Sequence, residues 1–153
     1  MIKLLLGIIL CAGSFLGCSP KSGKEINWIY IIPEQYEGWV AIQYDCNGGV
    51  PLEEINNVIE VHFGSDGMFC TSDSFSAWHG QLHAMDTRGN PIPVVYQPSE
   101  ISGYALCCSQ AIGMSYTEGE RSFELSFEIS WVGDMSHGWP DLDTFREAVH
   151  SPR

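Results

Sequence analysis

The clearest pattern in the chain is a strict alternation of apolar and polar residues over residues 122–132. Serine or glutamate separates each apolar residue from the next; the apolar set is Phe123, Leu125, Phe127, Ile129 and Trp131, and the polar set is Ser122, Glu124, Ser126, Glu128 and Ser130. Successive side chains of a β-strand point to opposite faces of the sheet. The pattern therefore predicts an antiparallel strand with its apolar face in the core and its polar face in solvent.

Six other stretches show strand-like patterns, at residues 26–32, 39–46, 58–63, 77–85, 92–96 and 104–116. Pro93 makes the stretch at 92–96 an edge strand, because proline cannot donate a hydrogen bond to a neighbouring strand. About seven short strands separated by Gly- and Pro-containing turns predict an all-β fold, specifically an antiparallel β-sandwich. Residues 140–149 differ: Pro140 followed by Asp141 and Asp143 predicts the start of a short C-terminal helix.

The N-terminus has the layout of a bacterial secretory signal. Lys3 precedes an apolar run at residues 4–10, and the stretch closes on Leu16, Gly17 and Cys18, which together form a lipoprotein box. The apolar run is much shorter than the roughly 20 residues of a membrane-spanning helix. We therefore predict a lipoprotein signal peptide at 1–17, lipid attachment at Cys18, a polar tether at 18–25 and a β-sandwich domain at 26–150.

Two points about the anchor stay open at the sequence level. Ordinary cleavage, which would leave Cys18 as a plain thiol, is the alternative to lipid attachment. Ser19 follows the cysteine at the position where Asp would resemble an inner-membrane retention signal. We therefore expect a lipid-anchored protein of the cell envelope, held at the outer membrane and facing the periplasm.

The charge balance restricts the partners. The 153 residues include 19 acidic and 7 basic side chains, a net charge of −12. Removal of Lys3 with the signal peptide takes the net charge from −12 to −13. Such a surface repels nucleic acid, which excludes it as a partner, and attracts cationic groups. The expected partners are the membrane, through the anchor, and a protein.

Four cysteines remain beyond the predicted anchor: Cys46, Cys70, Cys107 and Cys108. In an oxidising compartment they predict two disulfides, with three possible connectivities. Adjacent cysteines on a strand point in opposite directions, and a bond between them needs a strained local backbone. We therefore expect at least one of Cys107 and Cys108 to reach Cys46 or Cys70. The alternative is that one or both stay reduced in the core.

One motif resembles a known family. Residues 32–42 read Ile-Pro-Glu-Gln-Tyr-Glu-Gly-Trp-Val-Ala-Ile, which is similar to the opening motif Ile-Pro-Glu-x-Tyr-x-Gly-Trp-Val-x-Ile of an uncharacterised family of small exported bacterial proteins. Further landmarks of that family match in order over most of residues 29–145. The chain departs from the family by its four cysteines and at residues 83–85. Because the family has no known activity, the resemblance implies an exported β domain and carries over no site residue.

Histidine spacing raises a metal hypothesis. His79 and His83 lie four residues apart, close enough to share a zinc ion on a helix but separated by about 13 Å on a strand. Gly80 and the turn residues at 86–90 favour a strand, so these histidines are weak metal candidates and we expect no cofactor. A copper site would need a wider set of imidazole and sulfur ligands: His62, His79, His83, Met68, Met85 and Cys70.

No catalytic motif emerges. Ser115 fails the pattern of a nucleophile elbow because Thr117 stands where glycine is required, and the chain lacks phosphate-loop and dinucleotide-binding fingerprints. We therefore expect no enzyme. The leading interpretation is a lipid-anchored periplasmic binding or structural domain. The alternatives are a periplasmic metal-binding protein, for copper or zinc, and an acidic inhibitor lipoprotein that neutralises a cationic exported enzyme.

Overall fold

The structure is a computed structural model that describes residues 25–77, 80–97, 102–118, 121–137 and 141–150. The predicted signal peptide 1–17, Cys18, His79 and nearly all of the predicted tether 18–25 lie outside these ranges. The described strands are β1 (Asn27–Ile32), β2 (Gly38–Gln43), β3 (Glu54–Ile55), β4 (Val58–His62), β5 (Met68–Cys70), β6 (Leu82–Asp86), β7 (Pro91–Ile92), β8 (Val94–Val95), β9 (Tyr104–Glu118) and β10 (Arg121–Asp134). A 3₁₀ turn (Met135–His137) and helix α1 (Leu142–His150) follow.

The strands form two five-stranded sheets that pack face to face. The first sheet has the order β3-β4-β1-β6-β7, and the second has the order β5-β2-β10-β9-β8. The predicted all-β sandwich with a short C-terminal helix is confirmed. The helix begins one residue after Asp141, whose side chain accepts a hydrogen bond from the Asp143 amide over 3.1 Å. No helix within the described ranges is long and apolar enough to cross a membrane.

The sheets are mixed, whereas the sequence pattern predicted purely antiparallel pairing. Strand β1 runs parallel to both β4 and β6, β2 runs parallel to β5, and β8 runs parallel to β9. The chain passes to the other sheet after β1 and returns later, so strands distant in sequence become parallel neighbours. The extra strands β3 and β5 have only two and three residues, too few for alternation to reveal.

The predicted edge strand at 92–96 divides at Pro93. Strand β7 pairs antiparallel with β6 in the first sheet, while β8 pairs parallel with β9 in the second. The Pro93 carbonyl accepts a hydrogen bond from the Leu106 amide over 2.8 Å. Because Pro93 has no amide proton to donate, the chain changes sheet at this residue and supplies an edge strand to both.

The main core lies between the sheets. Alternate residues of β1 and β4 point into it from the first sheet, and alternate residues of β2 do so from the second; the buried set includes Trp28, Tyr30, Ile32, Ile59, Val61, Val40, Ile42, Tyr44, Leu106 and Val132. These inward positions recur at every second residue of the segments predicted as strands. Periodicity of two predicts them in β4, whose opposite face carries Glu60 and His62, whereas β2 also buries Trp39 and Ala41 on its other face.

Strand β10 departs from its prediction because both of its faces are buried along part of its length. Phe127 and Ile129 point outward and are covered by α1, where the Phe145 ring lies 5.6 Å from the Phe127 ring. The polar face points into the sandwich instead of solvent, and there Glu128 and Ser130 are buried. The most apolar face of β10 thus packs against α1. The sequence pattern wrongly placed the opposite, polar face in solvent.

The disulfides also differ from expectation. Cys46 is bonded to Cys70, and Cys107 to Cys108. The expected bond from Cys107 or Cys108 to Cys46 or Cys70 is therefore wrong. Opposite β10, Ile129 pairs with Gln110 and Trp131 with Cys107, which leaves one extra residue on β9. Cys108 in this β-bulge has a φ of 69°. The bulge interrupts the alternation that would otherwise send the two neighbouring side chains to opposite faces.

The motif at residues 32–42 forms a structural turn. The Tyr36 hydroxyl donates to the Trp39 carbonyl over 2.6 Å, and the Tyr104 hydroxyl donates to the Tyr36 carbonyl over 2.6 Å. Gly67 packs against the Tyr36 ring with a φ of 75°. These contacts connect the β1–β2 turn to two distant parts of the chain and account for the tyrosine in the motif.

Candidate functional site

The outer face of the first sheet carries a groove. Half-exposed Ile29 of β1 lies at its base, beside Val58 and Glu60 of β4. Residues 50–56 rise over one end of this face and enclose a volume of about 600 Å³ with it. The groove exists because α1 packs on the second sheet, whereas this face of the first sheet receives a loop.

The groove walls are mainly apolar. Aliphatic side chains from the 50–56 segment and Phe69 from β5 join the two strand residues; the apolar lining is Ile29, Val50, Pro51, Leu52, Ile55, Val58 and Phe69. Val50 is 62% exposed and Ile55 is 64% exposed. Large aliphatic side chains this exposed, and adjacent to a concave surface, are typical of a binding site.

The wall that carries Val50 is held in place by several bonds. The Cys46–Cys70 disulfide ties the start of the loop to β5, and the Val50 amide donates to the Cys70 carbonyl over 3.0 Å. Further along, the Leu52 amide donates to Asp73 Oδ2 over 2.7 Å. Because these contacts fix the backbone, the loop presents its side chains in a preorganised position.

A tight hairpin places Ile55 at the mouth of the groove. Ile55 pairs with Val58, and the two residues between them, Asn56 and Asn57, have φ values of 54° and 66°. Positive φ at both central positions is typical of the type I′ turn, which asparagine tolerates well. Ile55 therefore belongs to a short edge strand, and its position depends on this turn.

The rim of the groove is acidic. Glu53 and Glu60 line it, and the neighbouring Glu54 is also exposed. His62 lies beside Glu60, with 3.6 Å between His62 Nε2 and Glu60 Oε2, and both side chains are largely in solvent. An apolar floor with carboxylates at its edge is suited to an apolar group flanked by positive charge.

Among the described residues, the predicted metal ligands do not converge. His83 lies exposed on strand β6 and not on a helix, while its predicted zinc partner His79 lies outside the described ranges. Of the copper set, Cys70 is in a disulfide, Met68 packs on the outer side of the second sheet, and Met85 belongs to the first sheet. Within the described ranges no group of three or more His, Cys, Asp or Glu side chains could hold a metal ion.

A second polar site, centred on Glu128, was not predicted from the sequence. This carboxylate is 6% exposed; it accepts a hydrogen bond from the Tyr30 hydroxyl at 2.9 Å and another from the Tyr44 hydroxyl at 3.2 Å. Burial, and then the nearby Glu128, raise the pKa of both tyrosines above the usual value. The available signal was the pair of tyrosines at inward positions, Tyr30 in β1 and Tyr44 directly after β2, because a buried phenol needs a hydrogen-bond partner.

Comparison with known proteins assigns a family. The model of a family of unknown function, DUF6843, matches residues 24–104, which is 81 of the 153 residues. The chain belongs to this family. The match includes the motif at 32–42 and every residue that lines the groove, whereas Glu128 and the Cys107–Cys108 disulfide lie beyond it. The expected membership of an uncharacterised family is confirmed.

No curated protein matches this DUF6843 chain. Among solved structures, it is similar to a crystal structure described as a "Putative Lipoprotein from Bacillus anthracis", with 21% sequence identity and a TM-score of 0.49. The similarity covers 80% of this chain and 90% of the other.

Proposed function

We propose that this DUF6843 protein is a lipid-anchored, non-catalytic binding domain of the bacterial cell envelope, and that the groove on the first sheet receives a partner protein. The observation that carries the proposal is the exposure of Val50 and Ile55 on either side of an apolar groove. Monomeric domains rarely leave such side chains together at a concave surface without a contact to make.

The anchor part of the proposal is supported by the sequence. Cys18 closes a lipoprotein box and precedes a short polar stretch, which would hold the domain away from the bilayer. Three acyl chains on this cysteine would hold the protein stably, since each buried methylene contributes about 0.8 kcal/mol. Location at the outer membrane, facing the periplasm, is the finer part of the proposal and is supported by Ser19.

The partner we propose is an exported protein that presents an apolar segment flanked by Lys or Arg. The groove supplies the apolar surface, and Glu53 and Glu60 supply carboxylates at its rim. The net charge of −12 over the whole chain adds long-range attraction for a cationic partner. A cationic exported enzyme neutralised by this protein, the inhibitor alternative, belongs to the same class of partner.

Site-specific photo-crosslinking in living cells tests the proposal. A photoreactive residue at Ile55 should crosslink to an exported protein, and the crosslinked peptide should contain apolar residues beside Lys or Arg. The matched control is Thr87, an exposed turn residue near the opposite edge of the same sheet, which should give no such product. Crosslinks from Ile55 to a second copy of this chain, or to lipid, would refute the proposed partner.

A charge introduced at the groove gives an independent test on the purified pair. Ile55→Glu should weaken binding by at least about tenfold, because the groove would lose an apolar contact and gain a carboxylate that must be desolvated against the apolar segment of the partner. Thr87→Glu adds the same charge outside the groove and should leave the affinity within about twofold. Equal effects of both variants would show that only net charge matters.

The anchor and the absence of catalysis need separate measurements. Intact-mass spectrometry should show cleavage before Cys18 with three acyl chains, and Cys18→Ser should release the protein from the membrane fraction. An unmodified mass would remove the anchor from the proposal. A hydrolytic activity that is lost on deletion of the gene and restored by the purified protein would contradict a non-catalytic role.

A further inference from the structure

We propose that the partner of this protein binds by adding a strand to the first sheet, along the open edge of β4 and antiparallel to it. The inference rests on the proposed function, because it concerns the same groove, and it specifies the form of the segment that binds. That segment is extended, and its aliphatic residues alternate with Lys or Arg. Its backbone bonds to Glu60 and His62, in line with β3.

Only part of the outer edge of β4 is covered by β3. The two strands pair through Ile55 opposite Val58 and Glu54 opposite Ile59. Among the described residues, no strand continues this pairing toward His62. An open strand edge is a template on which a segment of another chain can pair.

The backbone groups of Glu60 and His62 face this open edge. The Phe63 amide, directly after β4, donates to the Ile31 carbonyl at the inner neighbour β1 over 3.0 Å. Backbone groups of successive strand residues face opposite edges of the strand, so Glu60 and His62 face away from β1, toward the side where Val58 meets β3. Each of the two residues offers one amide and one carbonyl to an incoming strand.

Residues 50–53 do not fill the open edge, because they are bonded on their other side. The Val50 amide donates to a carbonyl of β5, and the Leu52 amide donates to Asp73 Oδ2. Pro51 between them has no amide proton to offer. The groove of about 600 Å³ is therefore lined by this segment on one side and by β4 on the other.

The groove is accessible to side chains from both faces of an added strand. Ile29 and Glu60 line it from the outer face of the first sheet. Leu52 and Phe69 also line it, and they pack against the core between the sheets. Because successive side chains of a strand point to opposite faces, an aliphatic residue would lie beside Leu52 and Phe69 and its two neighbours would lie on the side of Glu60.

Charge selects the residues on that outer side. Glu60 is exposed at the open edge, and Glu53 lines the groove beside it. Opposite charges on facing strands stabilise a sheet, whereas like charges directly opposite each other destabilise it. Lys or Arg is therefore favoured opposite Glu60. Pairing with a second copy of this chain is disfavoured, because it would bring together two acidic edges of proteins with a net charge of −12 each.

The probe is the synthetic peptide acetyl-Thr-Val-Lys-Val-Lys-Val-Thr-amide, labelled with a fluorophore and titrated with the full-length protein in phosphatidylcholine nanodiscs. In an antiparallel added strand the lysine amides bond to Glu60 and His62, whereas the valine amides face away from β4. N-methylation of both lysine amides should weaken binding at least about tenfold, and N-methylation of two valine amides should change it by less than about threefold. Equal affinities of the three peptides, or the reverse order, would overturn the proposal.

Variants of His62 test the edge of β4 itself. His62→Pro removes the amide that faces the open edge and keeps the bonds to β1, and proline is tolerated on an edge strand. It should weaken binding at least about tenfold, whereas His62→Ala, which keeps the amide, should stay within about threefold. If His62→Pro fails to fold, the peptide series still decides.

Hydrogen–deuterium exchange followed by mass spectrometry locates the bound probe. The amides of Glu60 and His62 should exchange more slowly once the unmodified peptide is bound, because they then donate to its backbone. Exchange at these two amides that the bound peptide leaves unchanged would overturn the proposal.

The outcomes separate the added strand from the groove. If all three peptides bind equally and Ile55→Glu weakens all of them, the groove binds a partner segment in another form, so this inference fails and the proposed function stands. If no peptide binds below about 1 mM, or if Ile55→Glu has no effect on binding, this inference fails as well. Photo-crosslinking from Ile55 then decides on the proposed function independently.

Discussion

The Tyr30 hydroxyl on β1 donates a hydrogen bond to Glu128 on β10 over 2.9 Å, although the two residues belong to opposite sheets and lie 98 positions apart. Tyr44 makes a second such bond to the other carboxylate oxygen, at 3.2 Å. The interior of this sandwich therefore contains a polar centre within an otherwise apolar core. Its two tyrosines contribute both to stability and to the position of the carboxylate.

Removal of the Tyr30 hydroxyl should destabilise the protein without disturbing its packing. Tyr30→Phe keeps the buried ring but takes a donor from a buried carboxylate, and hydrogen bonds to charged groups are worth about 2 kcal/mol. Urea denaturation at neutral pH should show this loss in the free energy of unfolding. Tyr44→Phe should cost less, because its hydrogen bond is longer. A Tyr30→Phe protein as stable as the wild type would contradict the structural role of this bond.

The same tyrosines should make the protein sensitive to alkali. Burial and Glu128 raise the pKa of Tyr30 and Tyr44 in the folded state, so above about pH 10 the unfolded chain releases phenolic protons that the folded protein retains. The stabilisation that comes from keeping both phenols protonated in the folded state is complete below about pH 10, and it is lost as the pH rises toward the folded-state pKa. For each such phenol the free energy of unfolding should fall by up to about 1.4 kcal/mol per pH unit.

Denaturation curves between about pH 9 and pH 11, the range around the usual pKa of a phenol, would measure this slope. Tyr30→Phe should reduce the slope by the share of one phenol, even though the variant is less stable at neutral pH. Ile32→Val, a core substitution on the same strand that removes no titratable group, should lower stability and leave the slope unchanged. Identical slopes for the wild type and Tyr30→Phe would show that Tyr30 titrates alike in both states.

The two disulfides should contribute very unequally to stability. The Cys46–Cys70 bond joins residues 24 positions apart, so Cys46→Ala with Cys70→Ala should cost about 3 kcal/mol through the entropy of the unfolded chain. The vicinal Cys107–Cys108 bond closes no comparable loop, and replacing both cysteines by alanine should cost about 1 kcal/mol, chiefly from a small cavity at buried Cys107.

Chemical denaturation of the two double variants, each under non-reducing conditions, checks this order. Loss of the Cys46–Cys70 bond should also weaken partner binding, because that bond holds the loop that carries Val50. The Cys107–Cys108 variant is the matched control for the loss of two sulfurs. If the vicinal pair proved the more stabilising of the two, loop closure would not be the main contribution.

Gly67 should tolerate no side chain. A Cβ there would collide with the Tyr36 hydroxyl and the Trp39 carbonyl, and its φ is 75°. Gly89 has a similar φ of 84°, but no atom outside its chain neighbours lies within 4 Å of the place that a Cβ would occupy. Gly89→Ala should therefore cost about 1 kcal/mol from backbone strain alone, whereas Gly67→Ala should cost at least about 3 kcal/mol. Thermal unfolding of both variants separates the clash from the strain.

Sequence patterns predicted the layers of this protein better than their connections. Val40, Ile42 and Tyr44 occupy alternate positions of the predicted strand at 39–46 and all point into the core, because side-chain direction in a strand is a local property. The parallel pairing of β1 with β4 and β6 was not predicted, because the partner of a strand is chosen by distant parts of the chain. Pro93 was correctly placed in an edge strand, but its change of sheet depends on both neighbouring strands.

At the candidate sites, too, the sequence predicted the direction of side chains in a strand but not the surfaces formed by distant segments. Glu60 and His62 alternate with apolar residues in the predicted strand at 58–63, and they lie on the outward face of β4. The groove beside them could not be predicted, because it depends on where residues 50–56 fold over the sheet. Glu128 was predicted in solvent because it alternates with apolar residues; the structure buries it because α1 covers the apolar face and the first sheet covers the other.

The sequence by itself determined the longer strand-forming segments, the C-terminal helix and the excess of acidic residues, and it supplies the N-terminal motif on which the proposed anchor rests, since each depends on residues that are close along the chain or on composition. The tertiary structure decided which face of β10 meets which layer, which cysteines pair, where the groove lies and that Glu128 is buried between two tyrosines. These features bring together residues from distant segments. Their free energies depend on the packing of whole sheets, which no local pattern of residues contains.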